Sequence, residues 1–349
     1  MVAQNYRLYL GHSKVIGTID GYNAYSLSTP PFLSKASANY LSRILNKAIQ
    51  NRPLPDSMSL AITAHCNAKC EHCSFMGCYP QPPTTQLSLS EIKNVIAQAQ
   101  SLGVSMINLV GGEPLLRQDL PEIISSINKD LSSTVLYTNG YFLEEAAAGL
   151  KKSGLNGVYV SLDYPEAKRH DAFRKINGLF QKALTGLKAA QKAKLLTGLS
   201  ICLGKKEFEQ GHFDEMVKLS KELGVNEIIV FDFTPAGNYK NRLDLIGERD
   251  WIDSLIAKAD EYNSKSGTPG ILVYSRFASH LGLGCAGGVR YFYVSPFGDI
   301  FPCDFNHVSF GNIRKTKLYK IWDKMSGNPE FRKSKWGGCR LKDPSFNGR

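Results

Sequence analysis

The stretch SLGVSMINLVGGEP (residues 101–114) recurs in outline as KSGLNGVYVSLDYP (152–165) and ELGVNEIIVFDFTPAG (222–237), and this repetition decides the fold. Each copy has a helix end, a glycine (Gly103, Gly154, Gly224), an apolar strand and a turn containing Gly or Pro. Glycine suits the left-handed position just past a helix C-terminus. Continuous β-branched and apolar strands suit a parallel sheet covered by helices. The helices between them are also legible. Ser88 and Glu91 form a capping box ahead of Ile92, Val95, Ile96 and Ala99. Asp119 is placed to cap the next helix, with Pro121 in its first turn. Further helices are expected near 143–152, 178–193, 211–223 and 250–263. Six strands, near 57–63, 105–110, 133–138, 157–162, 197–203 and 226–232, alternate with helices. That order predicts a parallel sheet with right-handed crossovers. Six units fit a partial (β/α)6 TIM-like barrel or an open doubly wound sheet, and periodicity alone does not separate the two.

Both flanks differ from the repeat. Residues 1–50 form an N-terminal extension, with GTIDGYN (17–23) as a turn or hairpin. An amphipathic helix carrying Tyr40, Leu41, Ile44, Leu45 and Ala48 follows it. Packing of that helix on the barrel is favoured over contact with a membrane surface. Residues 51–240 are the core. Residues 241–349 are a linker helix and a small domain, in which YFYVSPFGDIFPCDF (291–305) reads as a hairpin around Pro296–Phe297–Gly298–Asp299.

With 43% apolar residues in 349, the chain can bury a full core, so neither disorder nor a disulfide scaffold is indicated. No apolar run approaches the ~20 residues that span a bilayer, and MVAQNYRLYLGHSK at the start lacks a signal peptide's apolar stretch. A cytoplasmic location is expected, where eight cysteines point to metal binding or catalysis before disulfides. The net charge of +11 sits on the flanks, +4 in residues 1–50 and +8 in 311–349, leaving the middle near neutral. An anionic substrate or partner would suit it. A solvated basic face that offsets a negative thiolate cluster is the plainer reading. No nucleic-acid-binding motif accompanies the charge, so no nucleic acid partner is expected.

Directly after the first strand comes Cys66-Asn-Ala-Lys-Cys70-Glu-His-Cys73, a CxxxCxxC loop. Three thiolates so spaced can ligate three irons of a [4Fe–4S] cube and leave the fourth open. Zinc would call for a fourth ligand, which His65 or His72 could offer. The second strand ends in Gly111-Gly112-Glu113-Pro114, where glycines let backbone approach a ligand; a tight βα turn is the plainer alternative. Together the two loops share the rim where ligands bind in such folds.

CxxxCxxC after the first strand with GGEP after the second resembles the radical S-adenosylmethionine (SAM) superfamily over roughly residues 57–235. The resemblance implies a partial (β/α)6 barrel in which Cys66, Cys70 and Cys73 hold a [4Fe–4S] cluster. The open iron would chelate the methionine end of SAM, and the Gly111–Glu113 backbone, beside Pro114, would contact its amino group. One electron, from a low-potential donor such as flavodoxin or ferredoxin, would then yield methionine and a 5′-deoxyadenosyl radical that abstracts substrate hydrogen. His72 stands where members carry an aromatic residue beside the adenine. Asn139, Ser161 and Asp163 match positions for ribose or carboxylate contacts, with local turn-capping by Asn139 and Asp163 as the alternative.

Strand alternation places Tyr159, Ser161 and Asp163 in the lumen, opposite Val158, Val160 and Leu162. It places Ser200 and Cys202 inward likewise, with Asp232 and Thr234 from the sixth strand. SAM hydroxyls or substrate could partner this polar ring, Ser200 included. Cys202 is a candidate hydrogen-atom donor to a substrate radical, against a packed core thiol. Cys285, Cys303 and Cys339 lie in the C-terminal appendage, which resembles the SPASM/Twitch extension that binds auxiliary [4Fe–4S] clusters. Three cysteines allow one such cluster, and Asp304, His307, Cys78, Cys202 or an open iron are candidates for its fourth corner. The expected activity is radical abstraction of hydrogen from an unactivated C–H bond of a peptide or a small anionic metabolite. The rival is a non-catalytic iron–sulfur or zinc protein that carries electrons or scaffolds a partner.

Overall fold

A computed structural model describes residues 11–50, 53–75, 85–245, 249–278, 284–332, 339–343 and 346. Strands β1 (Gly17–Ile19) and β2 (Tyr22–Ala24) form an antiparallel hairpin. Its turn residues Asp20 and Gly21 have φ of 51° and 82°, the doubly positive geometry that a two-residue hairpin turn needs. A separate, larger sheet contains β3 (Ser57–Ala61), β4 (Met106–Val110), β5 (Ser133–Thr138), β6 (Gly157–Ser161), β7 (Leu196–Leu203) and β8 (Glu227–Asp232). These are the six strands expected, parallel and in sequential order.

The sheet is larger than six strands. β9 (Gly270–Val273) adds to β8 in parallel. At the opposite edge β10 (Tyr291–Val294) pairs in parallel with β3 and leads into β11 (Asp299–Phe301) and β12 (Gly311–Asn312). The expected hairpin is thus β10–β11, turning at Ser295–Gly298, and it is continuous with the barrel sheet. A buried parallel sheet leaves no unpaired edge beside its core without cost, and β10 covers the outer edge of β3. The sheet order ends at β12 and β9, so the barrel stays open.

The helices obey the sequence closely. Ser88 and Glu91 make the reciprocal capping box ahead of helix Leu89–Leu102, and Gly103 ends it at φ 100°. Gly154 does the same for Leu143–Ser153. Asp119 differs from expectation: its side chain makes no cap, because both carboxylate oxygens accept from Arg117 at 2.5 and 3.0 Å. The remaining donor of Arg117, Nη1, reaches the carbonyls of Ile62 and Leu87, pinning the exit of β3.

Alternation in the strands holds as read. Val158, Val160, Leu162, Leu199, Ile201 and Leu203 join the core under the helices. Tyr159 packs in the lumen with Met106, Val135, Ile229 and Leu272, and the β1–β2 hairpin closes this floor with Ile16, Ile19, Ala24 and Leu27. Glu227, wholly buried there, accepts from Leu27 N at 2.8 Å and from the Tyr159 hydroxyl, and His12 Nε2 lies 3.0 Å away. Helix Lys35–Gln50 docks through Ala36, Ser37 and Tyr40 and leaves Leu45 and Ile49 exposed. No described helix is long and apolar enough to cross a membrane.

Tyr40 touches Arg290, whose Nε donates to Asp56 at 2.6 Å at the entry to β3. Arg290→Met leaves a nearly buried carboxylate unpaired, and the expected loss is about 3–5 kcal/mol of folding stability. Urea denaturation followed by circular dichroism measures it, and Asp56→Asn in the same chain recovers most of the loss.

Candidate active site

The exit of β3 and the exit of β4 are sewn together by backbone. Gly112 N donates to Thr63 O at 2.8 Å and Glu113 N to His65 O at 2.7 Å. A Cβ on Gly112 would stand 2.1 Å from His65 O, and one on Gly111 2.5 Å from Thr63 O. The glycines therefore let two loops meet, and in doing so they hold the ledge against the residue that precedes Cys66. Gly111, at φ 154°, and Gly112 also line the cavity.

Glu113 is buried and joins this ledge to the exit of β5. Its carboxylate accepts from Thr138 Oγ1 at 2.6 Å, from Asn139 N at 2.8 Å and from Leu115 N at 3.0 Å. Burial pushes its pKa up, against the pull of these hydrogen bonds. Pro114 opens the short turn Pro114–Leu116 and is buried behind the ledge, away from the cavity lining. Pro114 shapes the ledge from behind. Asn139 lines the cavity, but its amide is used locally, Oδ1 by Tyr141 N and Nδ2 by Asn67 Oδ1 in the cysteine loop.

The cysteine loop rests on the C-terminal end of helix Ala167–Arg174. Lys69 N and Glu71 N donate to the carbonyls of Arg174 and Phe173, carbonyls that a helix end leaves without internal partners. The turn after β8 closes from the other side, where Asn238 donates to the carbonyls of Cys73 and Cys70. Gly237, at φ 55°, permits it, since a Cβ there would meet Cys73 O at 2.1 Å. The His72 ring stacks on Phe173 at 4.5 Å and 6°. Burial lowers its pKa to about 4, so the ring is neutral near pH 7.

Arg174 is the principal residue that the sequence did not disclose. Its Nε donates to Asp163 Oδ2 at 2.7 Å, and its Nη1 reaches Cys70 Sγ at 3.8 Å. Burial alone would raise the Asp163 pKa, yet Arg174 and the nearby imidazoles hold it down at about 2. The other oxygen, Oδ1, accepts from Cys202 N at 3.0 Å. Cys202 lines the cavity, and burial keeps its thiol protonated. Ser161 and Ser200 line it too, as do Asp232 and Thr234. Asp232 is additionally gripped by Ser275 and by Lys342 from the C-terminal segment.

These residues surround one cavity of about 420 Å3 that reaches the carboxyl ends of the strands. It runs from Cys66, Cys70 and Cys73 to Tyr274, Tyr291 and Asp304. Beyond that wall lie the other thiols. Cys303 is raised to about 12, first by burial and then by Cys285, and Cys339 is raised by burial and by both. Tyr274 senses all three. Of the candidates for a fourth corner, Asp304 adjoins Cys303 but already accepts from Tyr291. His307 packs against Phe301. Cys202 belongs to the first group of residues, beside Asp163 and Arg174. Cys78 lies outside the described residues.

The donor set fits iron–sulfur chemistry. Burial raises Cys66 to about 11, with the neighbouring thiols adding to it, so the trio shares one site. Three thiols that sense one another suit a cube that spreads its ligands over separate irons and leaves one iron open. Two buried polar atoms of the lining, His72 Nδ1 and Asn108 Oδ1, find no partner among the described residues, as expected where a polar cofactor sits.

An open parallel barrel carrying a cysteine trio at its mouth, a glycine ledge beside it and a second thiol group across one cavity defines an iron–sulfur enzyme. Comparison with known proteins agrees. Residues 60–220 match the model of the Radical SAM superfamily, and residues 285–342 match that of an iron–sulfur cluster-binding domain, SPASM. The chain is 29% identical over 315 residues to AdoMet-dependent heme synthase of Methanosarcina barkeri, covering 82% of this chain and 89% of the relative. It is 32% identical over 218 residues to a probable GTP 3′,8-cyclase of Saccharolobus solfataricus, covering 59% of this chain and 67% of the relative. In fold it is similar to Streptococcus suis SuiB bound to its precursor peptide SuiA (TM-score 0.65, 16% identity, 84% and 70% coverage). It is also similar to anSMEcpe with bound AdoMet (TM-score 0.63, 20% identity, 83% and 92% coverage). The chain belongs to the radical SAM superfamily, in its SPASM-bearing branch, and is a radical SAM enzyme. Its cofactors are SAM with a [4Fe–4S] cluster and an auxiliary iron–sulfur cluster.

Two outcomes follow from the geometry. Gly112→Ala forces the ledge off the cysteine stem and should lower iron bound after anaerobic reconstitution, read by iron assay. Gly149→Ala, where an added Cβ meets nothing within 4 Å, should leave iron content unchanged. The second outcome concerns pH. His170 Nδ1 accepts from Asp163 N, and burial lowers its pKa to about 4. The unfolded imidazole protonates near ~6.5, so the unfolded chain binds more protons between those values. Stability of the apoprotein should fall as pH drops from about 6.5 to 4, and His170→Asn should flatten that slope in denaturation experiments.

Proposed function

We propose that this enzyme removes a hydrogen atom from an unactivated C–H bond of a small anionic metabolite held between the two thiol groups. The observation that carries the reading is the single cavity that touches Cys66, Cys70 and Cys73 at one end and Asp304, next to Cys303, at the other. When bound, the cluster and SAM supply one-electron cleavage of a sulfonium bond and the radical that takes the hydrogen.

The chain's own residues do the rest. The Gly111–Glu113 backbone presents polar groups to the methionine end of SAM, and His72, fixed on Phe173, offers a flat neutral ring to its adenine. Tyr137, Phe231, Tyr274 and Phe305 give the cavity an aromatic wall that excludes water and suits a flat substrate. Cys285 and Cys303, each one residue from the wall, hold with Cys339 a cluster close enough to bind substrate or accept its electron. Cys202, kept protonated, is positioned to return a hydrogen atom in a redox-neutral outcome. A low-potential protein such as flavodoxin or ferredoxin supplies the electron. A metabolite is favoured over a peptide because the relatives similar along most of the chain are heme synthases, whereas the peptide-binding structures share the fold alone.

Anaerobically reconstituted protein given dithionite and SAM should form 5′-deoxyadenosine. Cys66→Ala, Cys70→Ala and Cys73→Ala should each reduce it to background, and Cys303→Ala should retain it. Deuterium from labelled porphyrin carboxylates should enter 5′-deoxyadenosine, and transfer from ribosomal peptides instead would move the assignment to peptide modification.

A further inference from the structure

Arg174 occupies the last position of its helix, is 7% exposed, and meets the cysteine loop twice. Its carbonyl accepts from Lys69 N at 3.3 Å, and its Nη1 lies 3.8 Å from Cys70 Sγ. A buried guanidinium persists only when paired, and the pairing here is directional. Asp163, 1% exposed, takes Nε at 2.7 Å and turns the fork so that Nη1 faces sulfur. Asp163 is itself fixed at every polar atom. Its Oδ1 accepts from Cys202 N, its N donates to His170 Nδ1, and its carbonyl lies 2.8 Å from His212 Nε2. The pair is neutral overall, but its positive end is the one that touches the cysteine.

Hydrogen bonds to ligand sulfur and nearby positive charge set the potentials of iron–sulfur clusters. Reduction adds one electron and one negative charge, which a donor aimed at the sulfur stabilises. We infer that Arg174 is a positioning residue that raises the reduction potential of the cluster held by Cys66, Cys70 and Cys73, with Asp163 locking the guanidinium against Cys70. This rests on the trio holding that cluster, and on nothing about the substrate.

The test is electron paramagnetic resonance of reconstituted protein poised with dithionite and redox dyes at a series of potentials. It is run in the holoenzyme and in Cys303→Ala, which simplifies the auxiliary signal. In Arg174→Met, the ratio of reduced to oxidised cluster at a given potential should fall about tenfold, equivalent to ~59 mV for one electron. Arg174→Lys keeps the charge but loses the fork, and its ratio should fall by less. An unchanged ratio in Arg174→Met at full iron content overturns the inference. If Arg174→Met fails to retain iron, an unchanged ratio in Arg174→Lys overturns it equally. Absence of iron from the unsubstituted chain would instead sink the cluster assignment itself, so the two failures are distinguishable.

Discussion

Two peptide hydrogen bonds, Gly112 N to Thr63 O and Glu113 N to His65 O, hold the chemistry of this enzyme in place. They join neighbouring strands just beyond the point where the sheet ends, so the ledge and the cysteine stem move as one body. No side chain could intervene, since a Cβ at Gly112 would collide with the His65 carbonyl. Other fixings reinforce this seam. Glu113 carries it to β5, Arg117 anchors it from behind, and the end of helix Ala167–Arg174 supports the loop from below.

Charge around the cavity is arranged in closed pairs. Asp163 with Arg174 flanks Cys202 on one side, and Asp232 with Lys342 lies on the other. Burial lowers the Lys342 pKa to about 8 against an opposing pull from Cys202, and its amine reaches the Asp232 carboxylate. The net positive charge of the chain lies mainly on its flanks, so the interior chemistry is set by local pairs and not by overall charge.

Much of this was legible in the residues because local rules and global fold agree. The capping box at Ser88, the helix-ending glycines and the strand parity of Val158–Leu162 each had one physical solution, and the structure adopts it. Asp119 misled because a carboxylate two residues from an arginine has a better partner than a helix N-terminus. Helix Ala167–Arg174 escaped notice because AKRHDAFR has no apolar stripe, so Arg174 could not be aimed at anything. β9 is four residues long, and the pairing of β10 with β3 is set by tertiary contact that no periodicity encodes. The cysteine loop and GGEP were legible as a pair, but the role of their glycines was not. They admit a neighbouring loop first and border the ligand space second.

The long-range partnership between β10 and β3 also bears on how the chain is made. The Asp56–Arg290 link that begins it spans 234 positions. During synthesis at ~5–20 residues per second, one flank of β3 therefore stays unclaimed for on the order of ten seconds or more while the rest of the sheet can already assemble. An apolar strand with free peptide groups is a template for unwanted association, so the nascent chain is most vulnerable before its final sixth emerges. Truncations or slow translation upstream of β10 would prolong that interval, and shielding by a chaperone has its greatest value there.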